Sequence, residues 1–294
     1  MLEEHIMNAE EAYRYLECEV KEKPYLVHAK SILCQRQSRK QQNKLPMLNR
    51  IVVEYAKYLS VNSVQGSDKN TVSLRVEALN RYYGFIHANK WDNLYSAQTK
   101  FRPTILEEFV ALLFRDLVKG FCLPALGFGP AKAYANLYFV GKTFEAFAKS
   151  PSIKLNCKDQ DFSIYRSIEI NADKGESIQA KLPVVSVECK TFIDKTMLEN
   201  SVATAEKIKA GNPYSFFCIV SETYDVGQDV DPAYSRIDQI YVFRKTMRNK
   251  GKNSAAQPDI DADVVFGFVS DVKQHLERPW SDVREKFLTS GKVL

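Results

Sequence analysis

In the stretch PVVSVECKTF (Pro183 to Phe192), Glu188 and Lys190 stand two apart within a run rich in β-branched residues. On a strand that spacing puts both side chains on one face, with Val187 and Cys189 on the other. An acid and a lysine buried together in an apolar strand are costly unless they pair, bind a metal or act on a substrate. Asp161, within KDQDF (Lys158 to Phe162), stands at the start of the preceding strand, and a hairpin would bring its carboxylate alongside Glu188. Two carboxylates that close repel each other, raising a pKa, unless a divalent cation lies between them. Mg2+ suits such a pair because it is a hard ion that prefers oxygen and keeps several waters. The backbone carbonyl of Cys189 is a further candidate ligand. An ion held there would activate a water and neutralise charge on a scissile phosphate. Lys190 would orient or deprotonate that water and stabilise the transition state.

The acid-x-Lys triplet carries little information alone. It occurs three times, at Glu19-Val20-Lys21, Glu188-Cys189-Lys190 and Asp271-Val272-Lys273, about as often as composition predicts. The first and third lie in expected helices, where residues two apart do not share a face. Only the middle one sits in a buried-strand pattern with an acid upstream at hairpin distance. The competing reading is a structural ion pair on a sheet edge. Glu108, in ILEEF, could reach the same cluster from a helix, or could simply be a surface acid favoured by the helix dipole. Glu222 ends an expected strand and reads as a loop acid, and Asp159 as a solvated one. The four histidines form no motif and suit surface or capping roles.

The elements that must position these residues follow from periodicity. Helices are expected over Asn8 to Val20, Leu48 to Leu59 and, capped by Asn70 or Thr71, on to about Ile86. Between the first two, CQRQSRKQQNK (Cys34 to Lys44) has four basic residues and no acid, either a solvated surface or a phosphate contact. After Pro103, ILEEFVALLFRDLVK is a strongly apolar helix. Strands are expected at Tyr134 to Val140, Phe162 to Ile170, Pro183 to Phe192, Tyr214 to Ser221 and Ile237 to Phe243, with turn chemistry at Asp173-Lys174-Gly175-Glu176. Asp194 to Ala210 and about Ala262 to Leu276 complete the helices. A basic run, RKTMRNKGK (Arg244 to Lys252), follows the last strand. This order predicts an α/β fold: a mixed β-sheet flanked by helices, with a helical region over 1–100 and the chemistry in 101–294. The helical region would serve DNA recognition or dimerisation.

The 294 residues are 45% hydrophobic, enough for a sizeable core, and the net charge of +5 favours an anionic partner. Six scattered cysteines lack zinc spacing and read as reduced thiols, mostly in the core, of a cytoplasmic protein. No apolar run is long enough to span a bilayer, and the acidic N-terminus is unlike a signal peptide.

Asp161, a spacer, then Glu188-x-Lys190 matches the PD-(D/E)xK nuclease pattern, except that Gln160 replaces the proline. The surrounding sequence resembles the subunits of heterodimeric Type II restriction endonucleases of the BbvCI and Bpu10I kind. The similar stretches are RPTILEEF (Arg102 to Phe109), GPAKAY (Gly129 to Tyr134), KDQDF, PVVSVECKTFIDKTMLEN (Pro183 to Asn200), TAEKIK (Thr204 to Lys209), NPYSFFCIVSE (Asn212 to Glu222) and IDQIYVFRK (Ile237 to Lys245). They cover roughly the last two-thirds of the chain, a coverage that makes the motif match a specific one. The resemblance implies a restriction-endonuclease-like core using Mg2+, with Asp161, Glu188 and Lys190 catalytic and Glu108 falling on the family's helix acid. It implies one active site per subunit, each cutting one strand of a short asymmetric DNA site of the CCTNAGC kind. The partners it implies are double-stranded DNA, a second, diverged subunit and a cognate DNA methyltransferase in a bacterial cytoplasm. Two other readings stay open from the residues alone. One is a structure-specific repair or recombination nuclease of the same fold, the other a non-catalytic DNA-binding protein. Base-reading side chains cannot be told from phosphate contacts among Arg36, Arg39, Arg244 and Arg248.

Overall fold

The computed structural model describes residues 7–92, 94–95, 100–171, 177–228, 230–248, 257–278 and 288–291. The expected turn at 173–176 and the end of the basic run, 249–252, lie outside them.

The first half is helical. α1 (Ala9–Glu22) begins with a capping box in which Asn8 and Glu11 each bond the other's backbone N–H, satisfying two donors that a helix start leaves free. α2 (Val27–Gln37), absent from the periodicity, is followed by a 3-10 turn over Arg39–Lys44, so the basic stretch is ordered backbone. Next come α3 (Leu45–Val61) and α4 (Lys69–Ala88). The cap of α4 is Asp68, not Asn70 or Thr71; its carboxylate accepts from both of their N–H groups. α5 (Pro103–Gly120) has proline in its first turn, where the missing N–H is no loss.

The second half forms a five-stranded sheet in the order β1 (Leu126–Val140), β2 (Ser152–Asn171), β3 (Ser177–Asp194), β4 (Phe216–Asp225), β5 (Gln239–Val242). β1–β2 and β2–β3 pair antiparallel, while β3–β4 and β4–β5 are parallel. A short helix, α6 (Phe144–Lys149), caps the β1–β2 hairpin, and α7 (Lys195–Gly211) is the crossover that a parallel β3–β4 pair requires. Asp194 caps α7 through the Met197 N–H. α8 (Ala262–Glu277) closes the chain's packing. β4 is buried on both faces over Phe217–Thr223: the apolar run Phe217–Val220 predicts this, and the burial continues through the polar Ser221, Glu222 and Thr223.

The sheet separates two cores. On one face Val187, Cys189 and Val220 meet α5, α8 and the N-terminal helices; on the other Phe217 and Ile219 meet Leu198, Ala205 and Ile208 of α7. Phe114 of α5 links the layers of the larger core, stacking on Phe162 of β2 at 5.6 Å and meeting Phe268 of α8 edge-on at 5.0 Å. Truncating it to alanine would cost about 3–5 kcal/mol. This core runs unbroken from Ala12 to Val272, across residue 100. Of the six cysteines, only Cys189 and Cys218 are buried, while Cys18, Cys34 and Cys122 are exposed, so the thiols are not mostly core residues.

Candidate active site

The site is built where β2 and β3 part. Their ladder ends at Phe162↔Val187, one residue short of Asp161. On the other side of β2, the pairing with β1 steps from Gly129↔Ser163 to Ala131↔Gln160, so Asp161 and Phe162 together oppose the single residue Pro130. Pro130 has no N–H to give the ladder, and Gly129 beside it adopts a φ of +119° that side chains rarely reach. The resulting bulge re-aims Asp161, as bulges near active sites do. Its carboxylate accepts the Cys189 N–H at 2.8 Å, standing in for the strand partner that Cys189 has lost. A strand residue's N–H and C=O leave the same edge, so the Cys189 carbonyl also opens on this mouth.

Glu188 and Lys190 share a face, as their spacing predicts. Lys190 Nζ lies 3.3 Å from Glu188 Oε2 and 4.0 Å from Asp161 Oδ2, with side-chain exposures of 27%, 12% and 25% respectively. The Ser201 hydroxyl of α7 donates to Glu188 Oε2 at 2.6 Å. Burial pushes the Asp161 pKa up, against the pull of Lys190 and the Cys189 amide. For Lys190 burial acts downward, but Glu188 and Asp161 outweigh it and hold the ammonium above its usual range. Lys190 is therefore a cation near neutral pH.

The structure does not bring Glu108 to this cluster. Glu108 is fully buried in the helical half, where its Oε2 accepts from the N–H groups of His28 at 2.9 Å and Ala29 at 3.1 Å, and its Oε1 from Tyr55 at 2.6 Å. α2 has no side-chain cap of its own, so Glu108 caps it from across the core. The reason is angular. Ile105, Glu108, Phe109 and Leu112 share the i, i+3, i+4, i+7 stripe that faces the interior. The neighbouring Glu107 instead lines the groove beside Asp161. Burial, reinforced by the Asp161 charge, raises its carboxyl to about 7. Placing the helix acids on that wheel is the signal that separates the two. Ser201, almost two turns into α7, had no signal at all.

Among the described residues no three His, Cys, Asp or Glu side chains converge as a ready metal cage. The donor set nonetheless fits Mg2+, which needs one or two carboxylates and takes the rest of its shell from backbone oxygen and water. Asp161, Glu188 and the Cys189 carbonyl offer that set.

The remaining charged residues are mostly spoken for. Glu222 is not a loop acid: it lies within β4, fully buried, and accepts from Tyr83 at 3.1 Å, Arg102 at 3.0 Å and Arg244 at 3.0 Å. Arg36 pairs with Glu10 at 2.7 Å and Arg248 lies 3.5 Å over the Phe192 ring, while Arg244 is buried against Glu222. Asp159 is exposed, as expected. His28 is no surface residue. It is fully buried, its ring nitrogens 2.9 Å from the Thr104 hydroxyl and 2.8 Å from the Tyr82 hydroxyl. His275 is buried too.

This architecture has relatives. A chain of the solved "native BbvCI A2B2 tetramer" superposes with a TM-score of 0.69 at 19% sequence identity, covering 88% of this chain and 99% of that one, which shows a shared restriction-enzyme fold. No curated protein sequence matches the chain. The family model of the Bpu10I restriction endonuclease matches residues 98–255, a span that takes in α5, the whole sheet and the mouth between β2 and β3. The chain belongs to the Bpu10I restriction endonuclease family and is a Type II site-specific deoxyribonuclease subunit.

Proposed function

We propose that this subunit hydrolyses DNA phosphodiester bonds with Asp161, Glu188 and Lys190 as its catalytic core and Mg2+ as its cofactor. The observation that carries this reading is the mouth between β2 and β3, where two carboxylates meet one ammonium and all three keep partial access to solvent. Asp161, Glu188 and the Cys189 carbonyl would hold the ion. Mg2+ bound there supplies a water of lowered pKa and offsets charge on the phosphate. Lys190, kept protonated by its two acids, stabilises the charge that grows on the phosphate oxygens in the transition state. The Cys189 amide and the Ser201 hydroxyl fix Asp161 and Glu188 before any substrate arrives, so little reorganisation is left for the reaction itself. Glu107, which lines the groove with Asp161, adds a third acid beside the site.

By its likeness to BbvCI, described as an A2B2 tetramer, we extend the reading to a second, diverged subunit. Each would cut one strand of a short asymmetric site of the CCTNAGC kind, and a cognate methyltransferase would protect the host. Residues 1–100 are then the DNA-recognition or dimerisation part of a bacterial cytoplasmic enzyme, and 101–294 its catalytic part. Purified with its partner, the protein should convert plasmid DNA to discrete fragments with Mg2+ and leave it intact in EDTA. A Lys190→Ala protein that cut as fast as wild type would sink the site assignment. Cleavage of branched DNA without sequence preference would point instead to a repair nuclease.

A further inference from the structure

Four residues other than glycine hold a positive φ among the described residues: Lys90, Lys100, Cys122 and Lys245. Three of them close turns, donating to the carbonyl three residues back: Lys90 to His87, Cys122 to Lys119 and Lys245 to Val242. Lys100, at φ +52°, instead leads into α5, and its carbonyl accepts the Thr104 N–H at 3.2 Å. A side chain in the left-handed region costs the fold stability that glycine there would not. Such strain persists where the surroundings over-determine it, and it clusters at functional sites.

Lys100 has such a site beside it. Its exposed side chain lines an open groove of about 810 Å3 together with Glu107 and Asp161, and with Lys132 and Lys181 farther along β1 and β3. Its position sets an ammonium beside the two acids that line the same groove. The acids therefore have two ammonium groups for neighbours, Lys190 from the sheet and Lys100 from the entry to α5. Among the described residues, only Lys190 is in ion-pair contact with Asp161 and Glu188. A groove that must accept a polyanion beside three carboxyl groups needs cationic donors on its wall, or the substrate is repelled as it enters.

We propose that Lys100 is a second phosphate-binding residue of the active site, its ammonium holding the non-bridging oxygens of the strand being cut. The proposal rests on the nuclease reading above. Lys132 continues the same wall and contacts a flanking phosphate, so it contributes to binding and not to the chemical step.

The test compares Lys100→Gly, Lys100→Arg and Lys132→Ala with wild type, each as the full chain with its partner subunit. Cleavage rates, thermal melting and the salt dependence of DNA binding are read in parallel. Lys100→Gly should melt at or above the wild-type temperature, because glycine takes the left-handed backbone freely, yet lose about 10²-fold in kcat/KM with most of the loss in kcat. Lys100→Arg should recover most of that rate. Each lysine removed should flatten the slope of log affinity against log salt by about 0.9, and Lys132→Ala should raise KM with kcat nearly unchanged. If Lys100→Gly cuts as fast as wild type, or if it loses rate and melting temperature together while Lys100→Arg fails to recover either, the proposal is overturned. A wild-type protein that cuts no DNA under any Mg2+ condition overturns the nuclease reading first. A cutting wild type with an indifferent Lys100 overturns this inference alone.

Discussion

Adjacent residues of α5 serve two acid clusters built on opposite terms. Around Glu108 the acceptors are answered: two backbone amides and a tyrosine hydroxyl reach its oxygens, and water is excluded altogether. Around Asp161 one amide and one distant ammonium answer a carboxylate that is still a quarter exposed. Burial pushes both carboxyls up, so the direction of the pKa does not separate them. Saturation does. A buried acid that collects donors until none of its oxygens is free is part of the scaffold. One left short of donors at an open strand edge has capacity for a ligand. Glu222, with Tyr83 and two arginines on it, belongs with Glu108.

The contrast can be broken by exchanging what each cluster loses. Lys190→Ala should slow cleavage by about 10³-fold, worth about 4 kcal/mol in the barrier, while its denaturation midpoint stays near wild type. A large fall in stability with little change in rate would place Lys190 in the scaffold. Glu108→Ala should do the reverse, costing about 3 kcal/mol of stability because it strands two helix amides and a tyrosine. Its rate per folded molecule should hold. Glu108→Gln keeps an acceptor and should lose less, and urea titration of both variants measures the difference. Glu107→Gln should fall between these in kind. It should cost cleavage about tenfold and leave stability unchanged or higher, since it removes a carboxyl that burial disfavours.

The smallest effect is on pH dependence. Glu108 has a folded pKa of about 7, above its unfolded value, so its contribution to stability is full below about 4.5 and is lost as pH rises through 7. His28, lowered to about 3 by burial, acts in the opposite sense: stability is full above about 6.5 and is lost as pH falls toward 3. Glu107, also raised to about 7, adds to the Glu108 slope, and His275, lowered to about 4, adds to that of His28; the slopes oppose, so wild-type stability should change little between about pH 4.5 and 6.5. His28→Gln removes one slope, and its stability should then fall as pH rises toward 7. Adding Glu108→Gln to that variant should flatten the fall, and a slope left unchanged would mean that Glu108 is not the titrating acid.

Much of the site could be read before any coordinates. Alternation with a period of two put Glu188 and Lys190 on one face because strand geometry leaves no other choice. The nearly all-apolar run after Pro213 announced the central strand for a similar reason. The edges were less visible. β1 and β2 extend well past their apolar cores, because the hairpin tip at Leu137 to Phe139 and α6 is exposed and its residues follow no inward pattern. α2 has almost no amphipathic pattern, since it packs against α5 and α3 while a cap supplied from α5 holds its start. That cap is eighty residues away in the chain, and no local rule reaches it.

Residue types and short spacings were therefore sufficient for what depends on one strand or one helix: the acid-lysine pair, the apolar character of α5 and the amphipathic face of α7. Tertiary structure decided which acids meet. The bulge opposite Pro130 turns Asp161 toward Cys189. The rotation of about 100° between adjacent helical residues sends Glu107 to the groove and Glu108 into the core. Both outcomes depend on contacts between segments distant in the chain, where a shift of one residue in register or one step around a helix exchanges a catalytic acid for a structural one.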